Sequence, residues 1–208
     1  MLHNNFSNLY KATIISLFTA IIITGFSIIL GKENLFLILN HDYGKLGDWL
    51  FNYATYLGDG VVWGILVILG FLKNKKWLIP IVLSIIISTI IVHVIKGHVI
   101  IPNYRPIEVF NSMLRQVHTI QGVEVHFGGS FPSGHSTQAF TMYLLLCVLI
   151  KRNWIIWVGY FLALIVGYSR VYQAQHFPID VAGGIFVAIV TVYVSLWVSK
   201  KISLSFLD

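Results

Sequence analysis

The amino-acid sequence predicts an all-α polytopic membrane protein with six transmembrane helices in one bundle. Of its 208 residues, 57% are hydrophobic and only 11% are charged, whereas a soluble domain carries about 25% charged residues. Six apolar segments approach the length of about 20 residues that a membrane-spanning helix needs. The basic residues, which bring the net charge to +6, stand in small clusters between these segments, as membrane topology requires. The charge therefore does not indicate a nucleic-acid partner, and a single membrane-integrated domain is expected over residues 1–208.

The six helices are predicted at residues 12–30, 52–72, 77–95, 134–150, 154–169 and 178–198. The first is longer than the apolar core of a signal peptide, and no small-x-small cleavage site follows it at residues 31–33. The second and fourth are interrupted by residues 58–60 and by Gln138, so their outer ends are expected to lie in a wet cavity within the bundle. The apolar segment 35–39 is too short to span a membrane and is expected in the interface.

The distribution of lysine and arginine predicts the orientation of the bundle. One side of the membrane would carry eight basic residues, and the other side would carry six, together with seven of the eight acids. The positive-inside rule then puts both termini in the cytoplasm and the loops 31–51, 96–133 and 170–177 outside. The first set is Lys11, Lys73, Lys75, Lys76, Lys151, Arg152, Lys200 and Lys201, and the second is Lys32, Lys45, Lys96, Arg105, Arg115 and Arg170.

Three polar groups interrupt the hydrophobic pattern, and all three fall on the outer side, at residues 96–106, 132–135 and 169–180. They place the cations Lys96, Arg105 and Arg170, with His135 and His176, at the ends of membrane helices. Such residues are costly to keep there unless they have partners. A multiply charged anion would pair with all of them.

The third group combines a histidine, a carboxylate and an arginine. Pro178 suits the first turn of a helix, and His176 and Asp180 are four residues apart, so at a helix start they can share one face. The carboxylate could then orient the imidazole as a nucleophile or base. Arg170, six residues earlier, offers a planar fork for phosphate oxygens. The alternative is a structural His–Asp pair beside an interfacial arginine.

The second group, Pro132-Ser133-Gly134-His135, stands at the start of the fourth predicted helix. Ser133 is a suitable N-cap, and Gly134 lets a ligand approach the backbone closely. The free N–H groups of such a first turn can bind an anion, and His135 could give a proton to a leaving oxygen. The alternative is an ordinary capped helix that happens to carry a histidine.

Taken in order, the three groups resemble the type 2 phosphatidic acid phosphatase superfamily, which includes membrane lipid phosphate phosphatases and soluble vanadium haloperoxidases. The family pattern is Lys-x6-Arg-Pro, then Pro-Ser-Gly-His, then Ser-Arg-x5-His-x3-Asp. The second motif matches completely, and so does the third, in Ser169, Arg170, His176 and Asp180. The predicted topology also matches, so the resemblance covers essentially the whole chain.

The first motif departs from the family pattern. Arg105-Pro106 is present, but eight residues instead of six separate Lys96 from Arg105, and His98 occupies the position at the family spacing. On one helix Lys96 and His98 would be about 200° apart, so they cannot do the same task unless the helix has ended. Lys96 is favoured because its permanent charge suits an anion better than a neutral histidine does.

The resemblance implies a role for each matched residue. His176 would attack phosphorus, Asp180 would orient its ring, and His135 would act as general acid and base. No metal or cofactor is implied, and His93, His118 and His126 lack a matching ligand spacing. Asp42, Asp48 and Asp59 are expected to be loop, turn and helix-cap residues. The phosphoryl oxygens would be held by Lys96, Arg105, Arg170 and the first-turn N–H groups at Ser133 and Gly134.

The expected function is therefore a metal-independent phosphatase that acts on a membrane lipid phosphate or diphosphate at the extracytoplasmic face of a bacterial inner membrane. Candidate substrates are undecaprenyl diphosphate, phosphatidylglycerol phosphate, phosphatidate and lipid A. A phosphotransferase with the same phosphohistidine is the alternative, and the loop 107–131 is a lid or substrate-selecting element in either case. An anion transporter would need charged residues deeper within several helices. The sequence predicts no oligomeric state.

Overall fold

The computed structural model describes residues 6–98, 103–112, 117–150 and 152–205. Within these ranges the chain is helical without strands, so the all-α prediction is confirmed. Arg115 and Lys151, which entered the predicted orientation, lie outside the described residues. The helices are α1 (Phe6–Ile29), α2 (Lys32–Leu39), α3 (Gly44–Thr55), α4 (Gly60–Lys73), α5 (Leu78–His98), α6 (Pro106–Ser112), α7 (Gly134–Leu149), α8 (Trp154–Tyr172) and α9 (Pro178–Ser205), with 3₁₀ turns at Tyr56–Gly58 and Lys75–Trp77.

Four helical segments of the described chain are long and apolar enough to cross a membrane, and they contain α1, α5, α8 and α9. The second predicted helix differs from expectation, because Gly44–Gly58 and Gly60–Lys73 meet at a bend of 49°. If this bent pair forms one span, the described chain has five. The fourth predicted helix is present as α7, but it has only 16 residues. That the chain crosses the membrane six times, with both termini in the cytoplasm, remains a prediction.

Helix α7 forms the centre of the bundle. It packs against α8, α9 and α1, and most of its side chains are buried, including Phe140, Leu144 and Cys147. A helix that is apolar around its whole circumference is stable only when other helices enclose it. Its central position explains how a helix shorter than a full span fits in this fold.

The outer surface of the bundle is apolar. Phe18 in α1, Ile68 in α4, Ile90 in α5 and Phe161 in α8 are each more than half exposed. Contiguous apolar surface of this kind is rare on soluble monomers, whereas it is stable against lipid. The exposed faces and the apolar helices together identify a membrane protein.

The first turns of α7 and α9 lie side by side because two glycines allow close approach. A methyl group at Gly184 would lie 2.8 Å from the Ser133 carbonyl oxygen, and one at Gly183 would overlap the Phe131 ring. The Ser133 N–H also donates to the Asp180 carbonyl across this contact, at 2.9 Å. The second and third sequence motifs therefore meet at one end of the bundle.

Helix α2 covers the same end. The segment 35–39 was predicted to lie in the membrane interface, but it belongs to a helix whose Leu35 and Phe36 are buried. The Phe36 ring stacks on Phe110 at 5.3 Å and meets the edge of Phe177 at 5.5 Å. The loop that precedes α3 thus contributes to the core beneath the third motif.

Candidate active site

His176 lies between the end of α8 and the start of α9, and it is only 2% exposed. Its Nδ1 is 3.6 Å from Asp180 Oδ2, and among the described residues this nitrogen has no hydrogen-bond partner. The Asp180 oxygen instead accepts from the Phe177 N–H at 2.9 Å and from Ser130 Oγ at 2.5 Å. The predicted His–Asp pair is therefore in contact at 3.6 Å but not hydrogen-bonded, because two other donors share the carboxylate.

The surroundings of His176 keep its ring neutral. Burial lowers the pKa of the imidazole to about 3; Asp180 opposes this shift, and the charges of Arg105 and Arg170 add to it. A histidine with a depressed pKa is unprotonated at all pH values well above that pKa. At neutral pH the ring therefore carries a free lone pair, which an attack on phosphorus requires.

The two arginines of the site are buried and held in place by neutral acceptors. Arg105 donates from Nε to the Gly128 carbonyl at 2.8 Å and from Nη1 to the carbonyl and side-chain oxygens of Gln175, both at 3.0 Å. Arg170 donates from Nη1 to Thr55 Oγ1 at 2.6 Å and to Gln173 Oε1 at 2.9 Å. None of these acceptors neutralises the guanidinium charge, which remains available to an anion.

Arg170 also has an unused donor. Its Nε is buried and has no hydrogen-bond partner in the described part of the chain. A buried charged donor without a partner costs free energy unless a ligand supplies one. The Thr55, Gln173 and Gln175 contacts were not predicted, although the two glutamines lie within the third motif and could have been noticed as polar residues between Arg170 and His176.

The head of α7 is a capped helix start, as predicted. Ser133 Oγ accepts from the Ser136 N–H at 3.4 Å and from Ser136 Oγ at 2.9 Å. The Ser133 N–H, which was expected to bind phosphate, is instead occupied by the Asp180 carbonyl. Gly134 is half-buried, and in the described residues its N–H donates to no protein acceptor. Gly134 and the next residue, His135, therefore offer the amides that an anion can use at this helix start.

His135 has a carboxylate partner that the sequence did not predict. Its Nε2 lies 2.8 Å from Asp59 Oδ1, and both side chains are about one-third exposed, at 31% and 33%. Asp59 was expected to cap the following helix, but its side chain makes no capping hydrogen bond. The expected helix cap is therefore a partner of the predicted general acid and base.

Lys96 and His98, the two candidates for the first motif, have different surroundings. Helix α5 continues through His98, so the two side chains lie on opposite faces. His98 is exposed and its Nδ1 lies 3.0 Å from the Val94 carbonyl of its own helix. Lys96 is half-buried and is subject to the charges of Arg105, Asp180 and Arg170. Residues 99–102, which contain the extra spacing, lie outside the described residues.

Replacing Lys96 with methionine should therefore reduce kcat/KM for a lipid phosphate by about 10²-fold, since one preorganised cationic contact to the phosphoryl group is lost. His98→Gln is the matched control and should stay within about twofold of the unmodified protein. Phosphate release in detergent micelles measures both. A larger loss in His98→Gln than in Lys96→Met would reverse the assignment.

The loop 107–131 is tied to the site at its end. Glu108 Oε2 accepts from the Arg105 and Gly128 N–H groups at 2.9 and 2.7 Å, and the Asn103 side chain forms two hydrogen bonds with the backbone of Phe131. Gln175 Nε2 donates to the Glu124 carbonyl at 2.8 Å. These bonds position Ser130 beside Asp180, while a lid or selecting role for the loop stays a prediction.

A second histidine–carboxylate cluster lies beside the site. His118 Nε2 is 3.0 Å from Asp48 Oδ1, and its Nδ1 is 3.8 Å from Asp42 Oδ1. Asp48 Oδ1 also accepts from the Tyr172 hydroxyl at 2.8 Å. Within the described chain, one group of side chains has ligand atoms close enough together to hold a metal ion: Asp42, Asp48 and His118. Their mutual contacts join the start of α3 to the end of α8.

A cavity of about 530 Å³ lies between α4, α5 and α7. Gln138, one turn after His135, closes one side of it and accepts a hydrogen bond from Trp63 Nε1 at 2.7 Å. Apart from Thr89, the remaining wall consists of apolar side chains and glycine backbone. The lining residues are Gly60, Trp63, Gly64, Val67 and Ile68 of α4, Ile85 and Thr89 of α5, and Gln138 of α7. Another cavity of about 440 Å³, at Lys11 and Trp157, touches none of the predicted site residues.

A membrane bundle that gathers buried cations and a neutral imidazole at one end belongs to the class of membrane-embedded enzymes that act on anionic substrates. Comparison with known protein families identifies which family of such enzymes this is. The model of the PAP2 superfamily matches residues 77–203, and the chain belongs to this superfamily. It is accordingly an enzyme that hydrolyses phosphoric monoesters or diphosphates of lipids.

Individual relatives agree with this membership. The bacitracin transport permease protein BcrC of Bacillus licheniformis is 27% identical over 167 residues, which are 79% of this chain and 77% of that protein. The undecaprenyl-diphosphatase BcrC of Bacillus subtilis (strain 168) is 34% identical over 74 residues, which are 35% of this chain and 37% of that protein. The crystal structure of Aquifex aeolicus LpxE matches with a TM-score of 0.68 and 31% identity, over 78% of this chain and 92% of that chain.

Proposed function

We propose that the protein removes phosphate from a membrane lipid diphosphate or phosphate through a phosphohistidine on His176, without a metal ion. Undecaprenyl diphosphate is the favoured substrate because one relative is named an undecaprenyl-diphosphatase; phosphatidylglycerol phosphate, phosphatidate and lipid A are the other candidates. The observation that carries the proposal is the buried, neutral His176 among the charges of Arg105 and Arg170. A neutral imidazole beside two buried guanidinium groups suits the attack on a phosphoryl group.

The reaction would proceed in two displacements at phosphorus. His176 attacks, the bond to the leaving oxygen breaks, and His135 supplies a proton to that oxygen. Lys96, Arg105, Arg170 and the Gly134 and His135 amides would stabilise the charge on the phosphoryl oxygens. Water then attacks phosphorus, its proton passes to His135, and the electron pair of the breaking N–P bond returns to His176.

The cavity along α4 supports a lipid substrate. It starts at Gly60 and Gln138, which are one and three residues from Asp59 and His135, and it continues past Gly64 to Ile68. A chain lying in this groove would leave its phosphorylated end at His135. The apolar wall would stabilise a buried hydrocarbon chain by about 0.8 kcal/mol per CH₂ group.

The position of the site supports an extracytoplasmic reaction. The motifs meet at the end of the bundle opposite Lys73, Lys75, Lys76 and Arg152, which the positive-inside rule assigns to the cytoplasm. In a bacterial cell this puts the reaction at the outer face of the inner membrane. There it would act on the diphosphate or phosphate of a lipid in the outer leaflet.

The name of one relative, a bacitracin transport permease protein, raises the transporter alternative. A transporter would carry charged residues deeper within several helices, where they would bind an anion in transit. Here the cations and carboxylates of the site lie at helix ends, and the buried side-chain contact of Ser84 in α5 with Ser195 in α9 is uncharged. This arrangement favours an enzyme with its active site at one end of the bundle over a transporter.

Phosphate release by the purified protein tests the proposal. The substrates are undecaprenyl diphosphate, phosphatidylglycerol phosphate, phosphatidate and lipid A in detergent micelles, each with and without EDTA. Release from at least one of them, unchanged by EDTA, is expected. Release that EDTA abolishes and added divalent metal restores would contradict the metal-independent mechanism.

Filling the cavity should separate lipid binding from chemistry. A methyl group at Gly64 meets no atom within 4 Å, so Gly64→Leu can extend into the groove without disturbing α4. We expect kcat/KM for a long-chain lipid diphosphate to fall about tenfold or more, because burial of a few CH₂ groups is lost. Inorganic pyrophosphate, which has no chain, should be hydrolysed at an unchanged rate.

Gly25→Leu in α1 is the matched control for this substitution. An added methyl group at Gly25 likewise meets no atom within 4 Å, but Gly25 does not line the cavity. This variant should retain activity on both substrates. Equal loss of lipid and pyrophosphate hydrolysis in Gly64→Leu would argue against the groove as the site of the lipid chain.

A further inference from the structure

Asp59 stands at the break between the 3₁₀ turn Tyr56–Gly58 and α4, where its carboxylate meets His135 Nε2 at 2.8 Å. Helix capping does not explain this placement, because the side chain accepts no hydrogen bond from the first turn of α4. The residue also lies outside the range 77–203 that matches the PAP2 family model. In the described structure, the Asp59 side chain reaches hydrogen-bond distance at His135.

The backbone around Asp59 is held close to His135. A methyl group at Gly58 would lie 2.9 Å from the His135 carbonyl oxygen and 3.2 Å from its Cβ, so only glycine allows this approach. The Asp59 N–H donates to the Tyr56 carbonyl at 3.1 Å, and its own carbonyl accepts from Val62 at 3.2 Å. The carboxylate is thus aimed at the imidazole by fixed main chain on both sides.

We propose that Asp59 is the positioning residue of His135: it accepts the Nε2–H, fixes the tautomer, and leaves Nδ1 to exchange protons with the reacting oxygens. This inference rests on the proposed function of His135. The chain would then contain two parallel pairs, with Asp180 beside the nucleophile and Asp59 beside the acid and base. In known triads a carboxylate in this position both orients the imidazole and stabilises the imidazolium.

The charges around His135 explain why such a partner matters. Burial and the charges of Arg170, Lys96 and Arg105 disfavour an imidazolium at His135, whereas the Asp59 carboxylate lies 2.8 Å from its Nε2 and favours one. During the second displacement His135 takes a proton from the attacking water and becomes an imidazolium. Without the Asp59 charge, the imidazolium would lose the carboxylate that contacts its Nε2.

Loss of the Asp59 charge is expected to affect the second displacement more than the first, because the two displacements differ in their need for proton transfer. When the leaving group is a lipid phosphate, it is a weak base and departs with little help from a proton. The attacking water, by contrast, must give its proton to His135 Nδ1 as the N–P bond breaks and the electron pair returns to His176. Loss of the Asp59 charge should therefore slow hydrolysis of the phosphohistidine more than its formation.

Single-turnover experiments on Asp59→Asn test this inference, with a prenyl diphosphate labelled with ³²P at its terminal phosphate as the probe. Asparagine keeps the size of the side chain and removes its charge. General acid–base catalysis contributes about 10²–10⁴-fold, so we expect steady-state turnover to fall about 10²-fold. The labelled phosphohistidine should accumulate, because its decay slows at least tenfold more than its formation does.

Asp48→Asn is the matched control, since Asp48 forms an equivalent contact of 3.0 Å with His118 Nε2 outside the proposed chemistry. It should show the kinetics of the unmodified protein. If Asp59→Asn turns over within twofold of the unmodified protein, or slows both displacements equally, the positioning role is wrong. If the unmodified protein neither turns over the probe nor forms the labelled intermediate, the proposed function fails and this inference fails with it.

Discussion

Replacement of His176 by alanine should reduce phosphate release from the preferred lipid by at least roughly 10³-fold. The variant lacks the nucleophile, and loss of the attacking group typically removes most of the catalytic effect of the residues that act with it. The buried position of the ring, at 2% exposure, leaves no room for another side chain to take its place without rearrangement. Initial rates in detergent micelles measure the effect.

His93→Ala is the control for this substitution. His93 is exposed on α5, where its Nδ1 lies 3.0 Å from the Thr89 carbonyl of its own helix. It should retain the activity of the unmodified protein. A His176→Ala variant that keeps more than a tenth of the activity, while remaining folded by thermal unfolding, would exclude His176 as the nucleophile.

Arg170→Lys should lower kcat/KM by about 10²–10³-fold, which is the range for loss of one preorganised donor to a developing oxyanion. Lysine keeps the positive charge, but it cannot reproduce the planar fork. In particular, it cannot donate to Thr55 Oγ1 and Gln173 Oε1, as Arg170 Nη1 does, and still direct further N–H groups to phosphate. Inhibition by vanadate should weaken in parallel, because vanadate is an analogue of phosphate and would bind the same N–H groups of Arg170.

Arg152→Lys provides the comparison, since Arg152 is exposed and lies at the opposite end of α8 from Arg170. It should not change either activity or vanadate inhibition. Equal kinetics for Arg170→Lys and Arg152→Lys would show that only the charge at position 170 matters. In that case the proposal that Arg170 binds phosphate with two N–H groups would be wrong.

Local sequence patterns predicted the parts of the site that depend on spacing along one helix. Ser133 caps α7, Pro178 begins α9, and His176 and Asp180 lie close together, as their positions at helix starts indicated. The fold class was predictable for the same reason, because hydropathy is summed along the chain. These features require only contacts within a few residues.

Contacts between distant segments could not be predicted in this way. Asp59 meets His135, Thr55 meets Arg170 and Ser130 meets Asp180 only after the helices have packed. The same packing occupies the Ser133 N–H with the Asp180 carbonyl. A sequence pattern shows which groups can bond, but competition among donors is decided by the tertiary structure.

The second predicted helix shows the limit of hydropathy for a different reason. The sequence predicted a helix over 52–72 that is interrupted at residues 58–60, but hydropathy did not predict the bend of 49° that the chain makes there. Gly58 and Gly60 weaken the helix there, and the close approach of Gly58 to His135 favours the break. The interruption that looked like a wet helix end is the element that brings Asp59 to the site.

Direct detection of the covalent intermediate tests the central claim most sharply. The protein is mixed with a lipid diphosphate labelled with ³²P at its terminal phosphate, quenched in alkali within milliseconds, and digested for mass spectrometry. We predict a phosphorylated peptide whose label is stable in alkali, lost in acid, and located on His176. It should be absent from His176→Ala. Rapid phosphate release with no label on the protein, or a label on another residue, would contradict the phosphohistidine mechanism.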